Sequence, residues 1–202
     1  MMAKVCGLAS PADVAAALEA GADLLGFLLH PASPRHCADL GLVGLAGDRA
    51  VLVVVAGSAD SALALARRAG AGWVQPYLPE PERSRAAALL REDGRRVLLP
   101  WPDEPGQAAP AADLYLWETS PGATGLLGGS GQAHAMAFPP PGPFLLGGGL
   151  HGPALAGRLA LMPPGARGRC RGFDAASGLE SAPGRKDPAR VSAFVRNAHD
   201  LE

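Results

Sequence analysis

The chain has 202 residues, of which 48% are hydrophobic, a length and composition that suit one folded domain and exclude a globally disordered chain. Its formal net charge is −1, from 18 basic and 19 acidic residues, so bulk electrostatics indicate neither a nucleic acid nor an anionic membrane as a partner. Its apolar runs are too short to span a bilayer, and residues 1–6 lack the apolar core of a signal peptide, so we expect a cytoplasmic protein.

Short apolar runs alternate along the chain with Ala- and Leu-rich segments of helical period. The runs that predict strands are 4–8, 23–29, 50–56, 72–75, 96–99, 113–117, 143–146 and 170–173. The segments that predict helices are 12–20, 58–69, 81–93, 152–161 and 188–199, with weaker support near 37–46 and 132–138. Ser10 and Asp187 each precede a proline, which is a typical helix start, and the Pro-rich stretch 100–110 predicts a weak helix or a loop.

Apolar strands that alternate with helices indicate a parallel sheet buried on both faces. Eight such repeats can close into a barrel, and 202 residues lie near the lower size limit of that fold. We therefore expect an α/β protein with a single (βα)8 TIM-barrel domain over residues 1–202. A doubly wound open sheet is the alternative that the pattern leaves open.

The three cysteines indicate reduced thiols. Cys6, Cys37 and Cys170 are odd in number, widely spaced and form no CxxC pair, which argues against a disulfide framework and a zinc site. The histidines also match no standard spacing of metal ligands, so we expect no metal site. Reduced thiols agree with a cytoplasmic location.

Loops rich in Gly and Ser follow three of the late strands. They cover residues 128–131, 147–149 and 174–178. The backbone N–H groups of such loops can approach an anion closely, and barrels often hold phosphate after strands seven and eight. We predict a phosphate site formed by Gly129, Gly131, Gly148, Gly149, Ser177 and Gly178.

Several short motifs, in order along the whole chain, carry a family resemblance. They are residues 4–8 (KVCGL), 21–27 (GADLLGF), 33–35 (SPR), 128–131 (GGSG), 144–150 (FLLGGGL), 177–180 (SGLE) and 183–188 (PGRKDP), together with Asp174. In this combination the chain resembles phosphoribosylanthranilate isomerases. The resemblance implies a barrel enzyme of tryptophan biosynthesis, an intramolecular oxidoreductase that carries out the Amadori rearrangement of N-(5-phosphoribosyl)anthranilate without a metal or redox cofactor.

The resemblance also assigns roles to residues. It implies that Cys6 is the general base and that Glu118, where the family has an Asp, is the general acid. It implies that Arg35 binds the anthranilate carboxylate, for which a guanidinium fork is suited, and that Asp174 helps to orient the sugar or a loop. We expect a phosphorylated sugar-amine substrate and a monomer or homodimer.

Three departures from the family pattern fall on the expected active face. The fourth strand ends in Gln75-Pro76-Tyr77-Leu78 where the family has Gln-Leu-His-Gly, Trp117 stands where an aliphatic residue is usual, and the run after Gly131 lacks the family's Lys and Trp. These changes leave open a divergent paralogue that isomerises another phosphoribosyl aryl amine, a non-catalytic barrel that binds a phosphorylated ligand, and a related barrel lyase or synthase.

Overall fold

Eight parallel strands close into a barrel in chain order, with β8 paired to β1. The computed structural model describes residues 1–106, 108–119 and 133–201. The strands are β1 Met2–Cys6, β2 Leu24–Leu29, β3 Ala50–Val55, β4 Trp73–Tyr77, β5 Arg96–Pro102, β6 Leu114–Glu118, β7 Phe144–Leu146 and β8 Cys170–Ala175. The barrel prediction is confirmed, and the open sheet is excluded.

Helices lie between most of the strands. They are α1 Pro11–Glu19, α2 Gly41–Ala46, α3 Ala59–Ala69, α4 Glu82–Glu92, α5 Leu155–Ala160, α6 Pro164–Arg167 and α7 Pro188–His199. Short 3-10 turns cover Gly47–Arg49, Gly152–Ala154 and Ser177–Leu179, and a hairpin of β9 Glu180–Ala182 and β10 Arg185–Lys186 precedes α7. None of the helices in the described parts of the chain has the length and apolar character needed to cross a membrane.

The predicted helix starts are confirmed in detail. The Ser10 hydroxyl accepts a hydrogen bond from the Asp13 amide at 3.1 Å, and the Asp187 carboxylate accepts from the amides of Ala189 and Arg190. These contacts satisfy amide groups that have no partner within the helix, which is why both helices begin there.

The structure decides between the alternatives for one predicted segment and differs from the prediction for another. The Pro-rich stretch, predicted as a weak helix or a loop, contains no helix at residues 103–106 and 108–113, since its prolines cannot supply helical N–H donors, and residues 100–102 belong to β5. Residues 133–138 also contain no helix, because the Asp103 carboxylate accepts hydrogen bonds from the Ala137 and Phe138 amides. A four-residue helix, α6, was not predicted.

The barrel interior determines where the site lies. One apolar cluster fills the barrel: Leu24, Val51, Trp73, Leu98, Leu114, Leu116 and Leu145, with Met2 packed against it. Side chains on a strand alternate between its two faces, so residues two or four positions further along also point inward. Lys4 and Cys6 follow Met2 in this way, Gln75 and Tyr77 follow Trp73, and Glu118 follows Leu116. These polar groups therefore gather above the apolar floor, at the C-terminal end of the barrel.

Candidate active site

A buried ion pair forms the base of the site. The Nζ atom of Lys4 lies 2.6 Å from Oδ1 of Asp174, and the Lys4 side chain is fully buried. Burial by itself lowers the pKa of Lys4, but the charges of Asp174 and Cys6 outweigh burial and raise that pKa above its usual range. Lys4 is therefore a permanent cation beneath Cys6.

Cys6 ends β1, with its sulfur against the backbone of β2. A Cβ atom at Gly26 would lie 2.8 Å from the Cys6 sulfur, so only a glycine leaves room for it. Burial raises the pKa of the Cys6 thiol, and Asp174 adds to this, whereas Lys4 and Lys186 lower it. Lys4 and Lys186 are the only lysines in the sequence, and the positive charge of each favours the thiolate of Cys6.

Glu118 ends β6, three strands from Cys6 around the closed barrel. Burial and the nearby Asp174 charge raise the pKa of Glu118 to about 8, against the lowering effects of the Tyr77 hydrogen bond and Lys4. At neutral pH the carboxyl is therefore mostly protonated. It can donate a proton, as a general acid must.

The Tyr77 hydroxyl is a member of the site that sequence reasoning did not assign. It donates a hydrogen bond to Oε1 of Glu118 at 2.6 Å and accepts one from the Gln75 amide nitrogen at 2.9 Å. Burial, followed by the Glu118 charge, raises the pKa of Tyr77 well above its usual value, so its hydroxyl stays protonated. The spacing of Trp73, Gln75 and Tyr77 on one strand face was the available signal.

A cavity of about 350 Å³ opens beside Glu118, at the C-terminal ends of β3 to β6. Its lining is mostly apolar: Val55, Ala56, Pro76, Leu78, Pro79, Pro100 and Pro102, with Tyr77, Arg83 and Glu118 as the polar members. The Arg83 guanidinium is engaged by Glu80 and by the carbonyl groups of Pro100 and Ala108. This space suits a flat apolar group.

The loops after β7 and β8 pack directly against each other. Gly148 and Gly149 adopt positive φ angles of 88° and 64°, a conformation that favours glycine. A Cβ atom at Gly178 would lie 2.1 Å from the Leu150 carbonyl oxygen, so this contact also requires glycine. Ser177 begins the adjoining 3-10 turn. Gly129 and Gly131, predicted to join this group, lie outside the described residues.

Arg35 lies next to this site, paired with a carboxylate of the β9–β10 hairpin. Its Nε and Nη2 atoms donate to the two Glu180 oxygens at 2.7 and 2.9 Å, and Lys186 donates to the same carboxylate at 2.9 Å. Burial raises the pKa of Glu180, but these two cations outweigh burial and lower it. The cluster of Arg35, Glu180 and Lys186 thus carries a net positive charge. Sequence reasoning assigned a role to Arg35 but to neither partner.

Comparisons with known proteins agree on one family. No family model matches the chain. It is 35% identical to the N-(5'-phosphoribosyl)anthranilate isomerase of Afipia carboxidovorans over 98% of this chain and 89% of the relative. Two solved structures are similar over nearly the full length of both chains. One is phosphoribosyl anthranilate isomerase from Thermus thermophilus, with a TM-score of 0.78, 26% identity and 98% coverage of each chain. The other is TrpF from Jonesia denitrificans, with a TM-score of 0.77, 32% identity and coverage of 98% and 97%.

The sequence identity and the shared barrel therefore point the same way. The cysteine, the buried carboxyl and the Gly-rich loops after β7 and β8 lie at the end of the barrel where such enzymes carry their chemistry. The chain belongs to the N-(5'-phosphoribosyl)anthranilate isomerase family.

Proposed function

We propose that the protein catalyses the Amadori rearrangement of N-(5-phosphoribosyl)anthranilate to the corresponding 1-deoxyribulose 5-phosphate, a step of tryptophan biosynthesis. The observation that carries this proposal is the pairing of a protonated, buried carboxyl at Glu118 with a thiol at Cys6, three strands apart around one barrel mouth. The reaction needs an acid and a base on different sides of the sugar, and this arrangement supplies both.

Glu118 acts first, as the acid. Its proton passes to the ring oxygen as the bond between that oxygen and C1 breaks, and the nitrogen lone pair forms the C1–N double bond of a Schiff base. A carboxyl with a pKa of about 8 holds this proton at neutral pH and releases it once the developing alkoxide is near.

Cys6 then acts as the base. Its thiolate removes the C2 proton, the C–H electron pair forms the C1–C2 double bond, and the iminium electrons return to nitrogen. The resulting enolamine tautomerises to the ketose product. Burial raises the pKa of the Cys6 thiol, and the charges of Lys4 and Lys186 have a function here: they act against burial and favour the thiolate.

The remaining groups hold the substrate. The loops that contain Gly148, Gly149, Ser177 and Gly178 present closely packed backbone amides to the phosphate, and Gly129 and Gly131 would extend this cradle. Asp174 accepts a hydrogen bond from the sugar. Arg35, within its positively charged cluster, binds the anthranilate carboxylate, and the apolar cavity gives room for the aryl ring.

All of these residues belong to one chain, so the proposal fits a monomer and a homodimer equally. We also propose a cytoplasmic location, because Cys6 must remain a thiol to act as a base and the cytoplasm keeps thiols reduced.

The test is direct turnover of the substrate. Purified protein should convert N-(5-phosphoribosyl)anthranilate, which is measured as a fall in the fluorescence of the substrate. Cys6→Ser and Glu118→Gln should each lower kcat by about 100-fold or more. Cys37→Ser is the matched control, since that thiol is buried outside the barrel interior and contacts the Asp39 carbonyl. Binding of ribose 5-phosphate without any turnover would contradict the proposal and favour a non-catalytic barrel.

A second candidate is the same rearrangement of another phosphoribosyl aryl amine. The observation that favours it is the cavity beside Glu118, whose wall contains Tyr77 and four prolines. This candidate is supported if a phosphoribosyl aryl amine without the carboxylate has a higher kcat/KM than phosphoribosylanthranilate. It fails if phosphoribosylanthranilate has the higher kcat/KM.

A further inference from the structure

We propose that Tyr77 is a positioning residue for Glu118, selecting which carboxyl oxygen carries the transferred proton. The inference rests on the proposed function, because it takes Glu118 as the acid. It assigns a role to the residue at which the fourth strand departs most visibly from the family pattern.

The directions of the hydrogen bonds determine the position of the proton. The Gln75 amide nitrogen donates to the Tyr77 oxygen, so the single hydroxyl proton of Tyr77 is directed to Oε1 of Glu118, 2.6 Å away. An Oε1 that accepts this bond is a poor place for the acidic proton of Glu118. The acidic proton therefore lies on Oε2, the oxygen that Tyr77 leaves available for the substrate.

The surroundings of Glu118 explain why such support is needed. Pro102 is its register neighbour on β5, and Pro100 is the other inward-facing β5 residue beside the cavity, so neither neighbour offers a side-chain donor. On the β7 side the neighbour is Gly147, which has no side chain and leaves that side of Glu118 open. A Cβ atom at Gly147 would lie 3.5 Å from the Glu118 Cβ. Tyr77 reaches across from β4 and supplies the lateral contact.

The length of the side chain fits the same picture. Glutamate places its carboxyl about one bond, ~1.5 Å, further from the backbone than aspartate does. An error of ~1 Å in a catalytic group can cost ~100-fold in rate. Tyr77 and Glu118 therefore form a matched pair. The carboxyl of the longer Glu118 side chain is correctly positioned only while the Tyr77 hydroxyl holds it.

The first test replaces the hydroxyl alone. Tyr77→Phe should lower kcat by about 10- to 100-fold with a smaller change in KM. The hydroxyl lowers the pKa of Glu118, so its loss should raise that pKa above about 8 and move the limb of the rate profile that Glu118 controls to higher pH. A merely structural role would not move this limb.

The chain offers a matched control. Tyr115 is the other tyrosine, and its hydroxyl donates to the Pro110 carbonyl at 2.8 Å, with no contact to Glu118. Tyr115→Phe should leave both kcat and the pH profile unchanged. A similar shift in both phenylalanine variants would overturn the inference, since it would indicate a general loss of packing.

A double-mutant cycle separates positioning from other effects. Glu118→Asp, although it restores the family's residue, should lose activity here because the shorter carboxyl no longer reaches Tyr77. Adding Tyr77→Phe to Glu118→Asp should then cost less than about 3-fold. Fully additive losses in kcat would contradict the pairing.

The failure of this inference can be told apart from the failure of the proposed function. If Tyr77→Phe keeps the wild-type kcat and pH limb while Glu118→Gln is inactive, the acid stands and the positioning role is wrong. If Glu118→Gln keeps full activity, the assignment of the acid is itself wrong, and the inference falls with it.

Discussion

Lys4 and Asp174 face each other in register across the seam where β1 meets β8, with 2.6 Å between Nζ and Oδ1. Their ion pair thus joins the two strands that close the barrel. The same lysine is the main charge that opposes burial at Cys6. One contact therefore links closure of the fold to the state of the proposed base.

Removing this charge should make Cys6 harder to ionise. Lys4→Met is expected to raise the pKa of the Cys6 thiol, because burial and Asp174 would then act with less opposition. It should also destabilise the fold by roughly 3 kcal/mol, since Asp174 loses its partner. The pH dependence of iodoacetamide alkylation, measured in a Cys37→Ser/Cys170→Ser background, reports the thiol. Lys186→Met should raise the pKa of the Cys6 thiol by less than Lys4→Met does. An alkylation profile that Lys4→Met leaves unchanged would contradict the role of Lys4.

Glu118 should make the stability of the protein depend on pH. Its pKa is about 8 in the folded state, above the ordinary 4.5, so the folded state binds more protons than the unfolded state between these values. The free energy of unfolding should therefore fall as pH rises from about 5 to about 8. Glu118→Gln has no charge to bury and should lose this dependence, gaining on the order of a few kcal/mol over the wild type at pH 8. Urea denaturation at pH 5 and pH 8 measures the difference, and the exposed Glu19→Gln serves as control. An equal gain at both pH values would refute the linkage.

The close packing of the two proposed phosphate loops, after β7 and β8, should be sensitive to one methyl group. In Gly178→Ala the new Cβ would meet the Leu150 carbonyl oxygen at 2.1 Å, and a backbone atom cannot move away cheaply. We expect a loss of about 1–3 kcal/mol in the free energy of unfolding and at least ~10-fold weaker binding of ribose 5-phosphate. Gly157→Ala lies in helix α5 with no neighbour within 4 Å of the new Cβ, and should be neutral or stabilising by up to ~1 kcal/mol. Equal affinities for the two variants would count against the phosphate cradle.

The barrel was predictable because its signals are local. Strand alternation, helix caps such as Ser10 and the motif around Cys6 depend on neighbours within a few residues, and the structure agrees with them closely. The weak helix prediction near residues 132–138 failed where a distant carboxylate, Asp103, binds the backbone of residues 137 and 138. Contacts of that kind leave no periodic trace in a sequence.

The polar contacts within the site were less accessible for the same reason. The Tyr77–Glu118 hydrogen bond joins residues 41 positions apart, and the Lys4–Asp174 pair joins residues 170 apart. Each depends on how strands stagger around the closed barrel, which is a property of the register between strands and not of any one strand. The sequence could therefore offer Cys6, Glu118 and Asp174 as candidate site residues, but it could not identify their hydrogen-bond partners.

Arg35 permits a prediction that separates binding from structure. If its guanidinium binds the anthranilate carboxylate, Arg35→Met should raise KM for phosphoribosylanthranilate by about 10-fold or more, as expected for the loss of a charge-assisted contact. It should change KM far less for the phosphoribosyl amine of aniline, which has no carboxylate.

Glu180→Gln is the matched control, because it weakens the same ion pair from the other side while leaving the Arg35 guanidinium in place. That variant should lose stability and bind the carboxylate substrate at least as well, since it frees the cation. An equal rise in KM for both substrates, in both variants, would instead assign Arg35 to the structure of the β9–β10 hairpin.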